Sequence, residues 1–431
     1  MPNKLQSSSP TLHFLVIIAS TFLIESCFWG HSLPTPEQRA EKIATYIAEG
    51  GYAPERSHAI KSIHETWWHN GQALEVVVLS PAEQGIYPLI IYLPGLGEHA
   101  EGGKIWRETW AKAGYTVFSV QPIEIGDALK DIIPFPGKPG EKVPSERLEK
   151  VGGLFGHDKP EPQSEQAIRK SELRFLGHQY SSQVSLTKRI AQLYWAHNQF
   201  KQKANTKQDL FASADLSRSI IAGYDIGAQT TAAVIGEAGG MTGHSQGRDF
   251  SPLAAIVISP FVSLSLGNVT TRYQGITIPL LSVTSVEDND PYAISTPTAF
   301  WENAPSGNKY LLLMKSAGHQ LLAGSEGSPQ QPFGDGDDLL SGPMPRPSGG
   351  MGGKQPPSGV SMAGGLPNGM FGPPPGVMPD GERDTKQIAA VSSLSTAFLD
   401  AFVKSDKFAR LWMANSGNRW LKRMSAKLKV K

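Results

Sequence analysis

The chain has a single cysteine, Cys27, so no internal disulfide can hold it together and a packed core must do that work. Its formal net charge is +1, which removes the basic excess expected of a nucleic-acid partner and any strong electrostatic steering. The apolar stretch from Leu12 to Ile24 is shorter than the ~20 residues of an ordinary membrane span. His58, His64 and His69 lack the accompanying carboxylates of a metal site, and no metal or cofactor is expected. What remains is a chain of 431 residues, 39% hydrophobic, long enough for one large globular domain plus excursions.

The N-terminus reads as a targeting segment. Lys4 precedes the apolar stretch, which ends at Ile24-Glu-Ser-Cys27. This end resembles the lipobox of bacterial lipoproteins, in which a small residue precedes a cysteine that becomes lipid-modified. Glu25 departs from the small or apolar residue usual at its place, so a plain signal peptide or an uncleaved anchor stays open beside lipidation at Cys27. Either way export is expected, to a bacterial envelope in the lipoprotein case, with a lipid-anchored protein facing the periplasm. The basic stretch from Arg419 to Lys431 is read as the solvated face of a terminal helix and tail.

Between these ends, periodicity predicts alternating strands and helices. Helices are expected over 37–49, 104–113 and around Leu186, Ile190, Leu193 and Tyr194. Strands are expected over 75–79, 89–93, 116–120, at 219–224, and over 253–258, 278–283 and 310–314. The alternation implies an α/β fold with a mainly parallel sheet covered on both faces. The main domain spans 37–324. Within it, 121–179 is rich in Pro, Gly and charge and reads as an irregular, cap-like excursion, with a disordered insertion as the alternative. Residues 325–381 are Gly/Pro/Met-rich and are expected to be disordered. Their irregularly spaced methionines, without cysteines, argue against a soft-metal site. Residues 382–431 supply a closing helix and the basic tail.

Chemistry concentrates at strand ends. Ser219-Ile-Ile-Ala-Gly-Tyr-Asp225-Ile-Gly227 reads as a strand, a tight turn between small residues, and a helix start. This is the setting of a nucleophile elbow, with Asp225 at its apex. Asp288 follows a later strand in Thr284-Ser-Val-Glu-Asp288, and His319 follows the last in Ala317-Gly-His319. Glu287 and Asp290 compete with Asp288 as the acid. The order of nucleophile, acid and histidine is that of α/β-hydrolases.

Through Pro88-Leu-Ile-Ile-Tyr-Leu-Pro-Gly-Leu-Gly97, Gly223-Tyr-Asp-Ile-Gly-Ala228, Ser259-Pro260, Ser285-Val-Glu-Asp288 and Gly318-His319, the chain resembles the dienelactone hydrolase-like and platelet-activating-factor acetylhydrolase-like branch of the α/β-hydrolase superfamily. The resemblance covers roughly 75–322 and the final helix. It implies an α/β-hydrolase fold, Asp225 in the nucleophile's place, Asp288 as the acid and His319 as the base. It further implies an oxyanion hole made by the backbone N–H groups of Leu96 and Ile226. Two departures stand out: Asp225 replaces the family's serine, and Pro94-Gly95 replaces its His-Gly. Gly243-His-Ser-Gln-Gly247 spells the serine pattern, but no strand precedes it and no helix follows, so Ser245 is expected to lie away from His319.

An aspartate at the elbow redirects the reaction. It is ionised without a base and suits displacement at a saturated carbon better than attack on an ester carbonyl. Three readings follow: a hydrolase descended from ester or lactone hydrolases, an aspartate-nucleophile enzyme like haloalkane dehalogenases or epoxide hydrolases, and a catalytically inactive envelope binding protein. The expected partners are a small ester, lactone or alkyl substrate and a membrane reached through the anchor, with no nucleic acid. Ile226 differs from the tryptophan that dehalogenases place after their aspartate, and Tyr180 is the one cap tyrosine available to assist an epoxide. Asp225 could instead simply cap the following helix.

Overall fold

A computed structural model describes residues 35–130, 165–237, 250–262, 267–291, 298–325 and 380–431. Cys27, Ser245 and nearly all of the Gly/Pro/Met-rich tract lie outside them.

The elements that build the site begin with α1 (Pro36–Ala48), followed by β1 (Ile60–His69), β2 (Gln72–Pro81) and β3 (Tyr87–Leu93). Then come α2 (Lys104–Lys112), β4 (Thr116–Pro122), the short α3 (Ile123–Gly126), α4 (Glu165–Ser181) and α5 (Gln183–Asn205). The second half contains β5 (Ala214–Tyr224), α6 (Ile226–Val234), β6 (Ala255–Ile258), α7 (Val269–Arg272), β7 (Leu280–Ser285), α8 (Ala299–Asn303), β8 (Lys309–Met314) and α9 (His319–Ala323). The chain closes with α10 (Asp380–Val403), α11 (Lys407–Ala414), α12 (Gly417–Arg423) and β9 (Ala426–Val430).

These strands form one nine-stranded sheet in the order β1-β2-β4-β3-β5-β6-β7-β8-β9. The five pairings from β4-β3 through β7-β8 are parallel; β1-β2, β2-β4 and β8-β9 are antiparallel. The fold is therefore α/β with a mainly parallel sheet. Central strands such as Leu89-Ile-Ile-Tyr92 and Ile220-Ile-Ala222 are buried on both faces, as continuous apolar runs in a parallel sheet should be. One face packs against α2 and α10 through Trp106, Trp110, Leu394 and Phe398. The other packs against α5 through Leu186, Ile190, Leu193 and Tyr194, the residues whose spacing predicts that helix, and through Phe200. A third, smaller apolar cluster of Leu96, Ile125, Leu129, Leu173, Ile226 and Phe261 lies at the carboxyl ends of the strands.

Three expectations are corrected. The excursion is not wholly irregular: its described part contains α3, and residues 165–179 belong to α4. The segment Ile60–His69, for which the periodicity predicts no element, is the edge strand β1. The basic stretch is a solvated helix face only at its start, where Arg419, Lys422 and Arg423 are exposed on α12. Its last residues form β9, antiparallel to β8 with Ala426 opposite Met314 and Val430 opposite Tyr310. Ala426 and Leu428 turn inward while Lys427 and Lys429 alternate with them, and lysines on an outer strand discourage further edge-to-edge pairing.

Candidate active site

Close backbone packing creates the elbow. β5 ends at Tyr224, and Asp225 takes φ 51° and ψ −117° before α6 begins. Positive φ is unfavourable for a non-glycine residue, so the surroundings must enforce this turn. They leave no room for side chains beside it. A Cβ on Gly227 would lie 2.0 Å from the Leu93 carbonyl oxygen, and one on Gly223 would lie 2.4 Å from the Gly227 backbone. Both small residues flanking Asp225 are thus required by contact, not by composition alone.

The Asp225 carboxylate is completely buried, and its two oxygens differ. Oδ2 accepts a hydrogen bond from the Leu96 N–H at 3.0 Å. The Ile226 N–H also favours the charged form. Among the described residues, Oδ1 has no hydrogen-bond partner. Burial pushes the carboxyl up to about 6, while the His319 charge and the Leu96 and Ile226 N–H groups pull the other way. The side chain makes no capping bond further into α6, so the local-cap reading does not describe it.

His319 opens α9, brought beside Asp225 by β8. Its Nδ1 lies 3.1 Å from Asp288 Oδ1 and 2.9 Å from Ser259 Oγ. Ser259 Oγ in turn donates to the same Asp288 oxygen at 2.8 Å, and Thr284 Oγ1 donates to Asp288 Oδ2 at 2.6 Å. Both Asp288 oxygens are therefore occupied, which fixes the carboxylate and places the proton on Nδ1 of the imidazole. Tyr224 holds the histidine from behind, its hydroxyl donating to the His319 carbonyl at 2.9 Å. Burial works against a charged imidazole, but the Asp288 hydrogen bond and the charges of Asp290, Asp288 and Asp225 outweigh it, raising His319 to about 9. Glu287 is exposed and donates its N–H to Ser285 Oγ, leaving the acid position to Asp288.

All five residues expected from the sequence, Leu96, Asp225, Ile226, Asp288 and His319, thus meet at one sheet edge. Four further residues carry contacts the sequence did not assign. Ser259, quoted above only as part of a motif, bridges the acid and the base from a backbone with φ 45°. Asp290, considered only as a rival acid, instead offers an oxygen within 4.8 Å of ligand atoms on Asp225 and His319. Glu98 accepts the Gly95 N–H at 2.9 Å and the Ser325 hydroxyl at 2.5 Å, bracing the loop that presents Leu96. Burial raises its carboxyl above the usual range, against those two hydrogen bonds.

Arg189 is the fourth. Its guanidinium donates to Thr230 Oγ1 at 2.9 Å, to Gln229 Oε1 at 2.5 Å and to the Tyr180 carbonyl, tying α4 to the elbow helix. Burial lowers its pKa to about 10, partly offset by the charge of Asp225. Tyr180 itself is half-buried and packs on the apolar cluster that includes Leu96 and Ile226. Among the other histidines, His58 contacts Glu83, His64 contacts Glu101, and His69 stacks on Trp195.

No protein-family model matches this chain, and no curated protein matches it significantly.

Proposed function

We propose that this chain is a hydrolase of α/β-hydrolase fold that uses Asp225 as a carboxylate nucleophile on a saturated carbon bearing a leaving group, such as an alkyl halide or an epoxide. One observation carries the reading. Asp225 has one oxygen held by a backbone N–H and the other without a hydrogen-bond partner, although the side chain is fully buried. A carboxylate kept only for structure gains stability by satisfying both oxygens, since an unpaired buried polar atom costs about 1–3 kcal/mol. A nucleophile needs one of them available.

The fold half of the proposal draws on topology. The elbow follows β5, the acid follows β7 and the histidine follows β8, in the order nucleophile, acid, histidine. One oxyanion donor comes from the residue after the nucleophile and the other from the loop between β3 and α2, as in α/β-hydrolases. The resemblance to dienelactone hydrolase-like proteins gives the same assignment.

The chemistry then runs in two halves. Asp225 Oδ1 attacks the substrate carbon, a C–O bond forms, and the leaving group departs with its electron pair. Oδ2 becomes the carbonyl oxygen of the resulting alkyl ester, already facing the Leu96 N–H. Esterification removes the Asp225 charge that helps raise His319; the imidazole, once it has released its proton, accepts one from water, and the hydroxide adds to the Asp225 carboxyl carbon. Negative charge collects on Oδ2, where the N–H donors stabilise it. Collapse expels Oδ1 with the alkyl group as an alkoxide, which takes the proton from His319; Asp225 keeps one oxygen from water and releases its remaining proton to solvent, restoring the carboxylate. Asp288 and Ser259 hold the imidazole throughout. The apolar surroundings supplied by Leu96, Ile226, Leu173 and Phe261 suit an alkyl group.

The test is isotopic. Alkyl halides and epoxides are screened for turnover, and a single turnover of the first substrate found is run in ¹⁸O-water. The Asp225 peptide should gain one ¹⁸O by mass spectrometry. Absence of label, or turnover persisting in Asp225→Ala, sinks the nucleophile assignment.

The proposal extends to location: an exported, lipid-anchored protein of the bacterial envelope, supported by the resemblance of Ile24-Glu-Ser-Cys27 to a lipobox. Among the described residues no helix is long and apolar enough to cross a membrane. In cell fractionation, Cys27→Ser should move the protein from the membrane to the soluble fraction. Unchanged membrane association would count against lipidation.

A further inference from the structure

The carboxylates around His319 outnumber what an acid–base pair requires. Asp288 meets Nδ1, and Asp225 and Asp290 also stand close to the ring. One ligand atom from each of Asp225, Asp290 and His319 lies within 4.8 Å of the other two. Such a group of acidic residues is common without any ion, but here a second feature accompanies it. Asp225 is fully buried, and its Oδ1 has no hydrogen-bond partner among the described residues. With Oδ2 committed to the Leu96 N–H, Oδ1 is the oxygen left to face its two neighbours.

From this the geometry points to a divalent transition-metal site, of the Zn²⁺ class, formed by Asp225, Asp290 and His319. The donor set of two carboxylate oxygens and one imidazole nitrogen suits a borderline cation, and three protein ligands leave one position open. Bonds of about 2.0–2.2 Å place tetrahedral ligands roughly 3.4 Å apart, so the three atoms, now within 4.8 Å of one another, would close to that spacing around the ion.

The outer contacts fit as well. A metal-bound histidine characteristically donates its other ring N–H to a carboxylate, and ligating carboxylates are themselves hydrogen-bonded. His319 Nδ1 meets Asp288, itself fixed by Thr284 and Ser259, and Asp225 Oδ2 meets the Leu96 N–H. These supports exist before any ion arrives. A doubly charged ion also answers the local excess of negative charge more fully than a single proton on the imidazole.

Binding of the ion does not depend on Asp225 acting as a nucleophile. The two are competing uses of the same oxygen, so the metal-loaded protein is a blocked form of the proposed enzyme. This connects the site to regulation by metal supply in an exported protein.

The experiment uses the full chain, stripped with a chelator and titrated with Zn²⁺ by calorimetry. One Zn²⁺ should bind per chain, with affinity reduced at least tenfold in both Asp290→Asn and Asp225→Asn. Asp288→Asn, acting through the histidine, should weaken binding by about 10–100-fold. Circular dichroism of the metal-free variants checks their fold, and Asp290→Ser replaces Asp290→Asn if that variant does not fold. Failure to bind stoichiometrically, or unchanged affinity in either the Asp290 or the Asp225 variant, overturns the site. Isotope incorporation is measured separately on metal-free protein, so the nucleophile can fail while the metal site stands, and the reverse.

Discussion

Replacing His319 by glutamine should arrest the reaction halfway, with the alkyl group of the substrate left esterified to Asp225. The two halves depend differently on the imidazole. Displacement by Asp225 Oδ1 needs no proton removed, whereas hydrolysis of the ester needs a base to activate water. General-base assistance contributes about 10²–10⁴-fold, so steady-state turnover should fall by roughly 10³. Displacement should continue to one equivalent. The expected readout is a burst of leaving group, with a matching mass increase on the Asp225 peptide. Glutamine preserves polarity and approximate size beside Tyr224 and Asp288, so the elbow should survive the change. A variant that loses turnover without accumulating adduct would show that His319 serves the first half or none.

The second large effect concerns stability. Glu237 and Arg272 form an ion pair at 2.9 Å with side-chain exposures of 4% and 2%, so water can replace neither partner. Arg272 also donates to the Tyr273 hydroxyl at 2.8 Å, and Tyr273 packs edge-on against Phe300 in the core face that α5 covers. Glu237→Ala would remove this carboxylate from beside a buried guanidinium. Breaking a buried pair from one side costs about 3–5 kcal/mol, because the surviving charge has lost its compensation. Replacing both partners, Glu237→Leu with Arg272→Met, should recover most of that loss, since hydrophobic residues of similar size can substitute for a buried pair. Urea unfolding of the three variants decides it. A single-variant loss below about 1 kcal/mol would mean that water or a neighbouring group reaches Arg272.

Much of the sheet was legible in the sequence because a buried parallel strand leaves a local signature. Leu89 to Leu93 is a continuous apolar run and Leu280 to Val283 a run broken only by Ser282, and each sits where its run predicts. The edge strands were less legible for the same physical reason. β1 is covered on one side only, so its charged residues and histidines concealed it. β9 carries the alternation Ala426, Leu428 and Val430 against Lys427 and Lys429, a period-two signal masked by its net basic character. Helix α4 was obscured by the Pro- and Gly-rich sequence ahead of it.

At the site, local sequence could place Asp225 at a turn and His319 at a strand end, because strand–turn–helix patterns involve near neighbours. It could not distinguish the two oxygens of Asp225. That difference comes from Leu96, 129 residues away in the chain. Nor could it separate Asp288 from Asp290. Two residues apart on one loop, one meets Nδ1 of an imidazole that arrives from 31 residues beyond Asp288, and the other groups with Asp225 beside the same ring. Ser259 became part of the site only because β6 lies beside β7. The sequence by itself determined the order of the elements and the residue types available at the elbow, since these depend on local periodicity and backbone preference. Tertiary structure alone decided which oxygen is held, which carboxylate meets Nδ1 of the histidine and which groups with Asp225, because those follow from contacts between residues far apart in the chain.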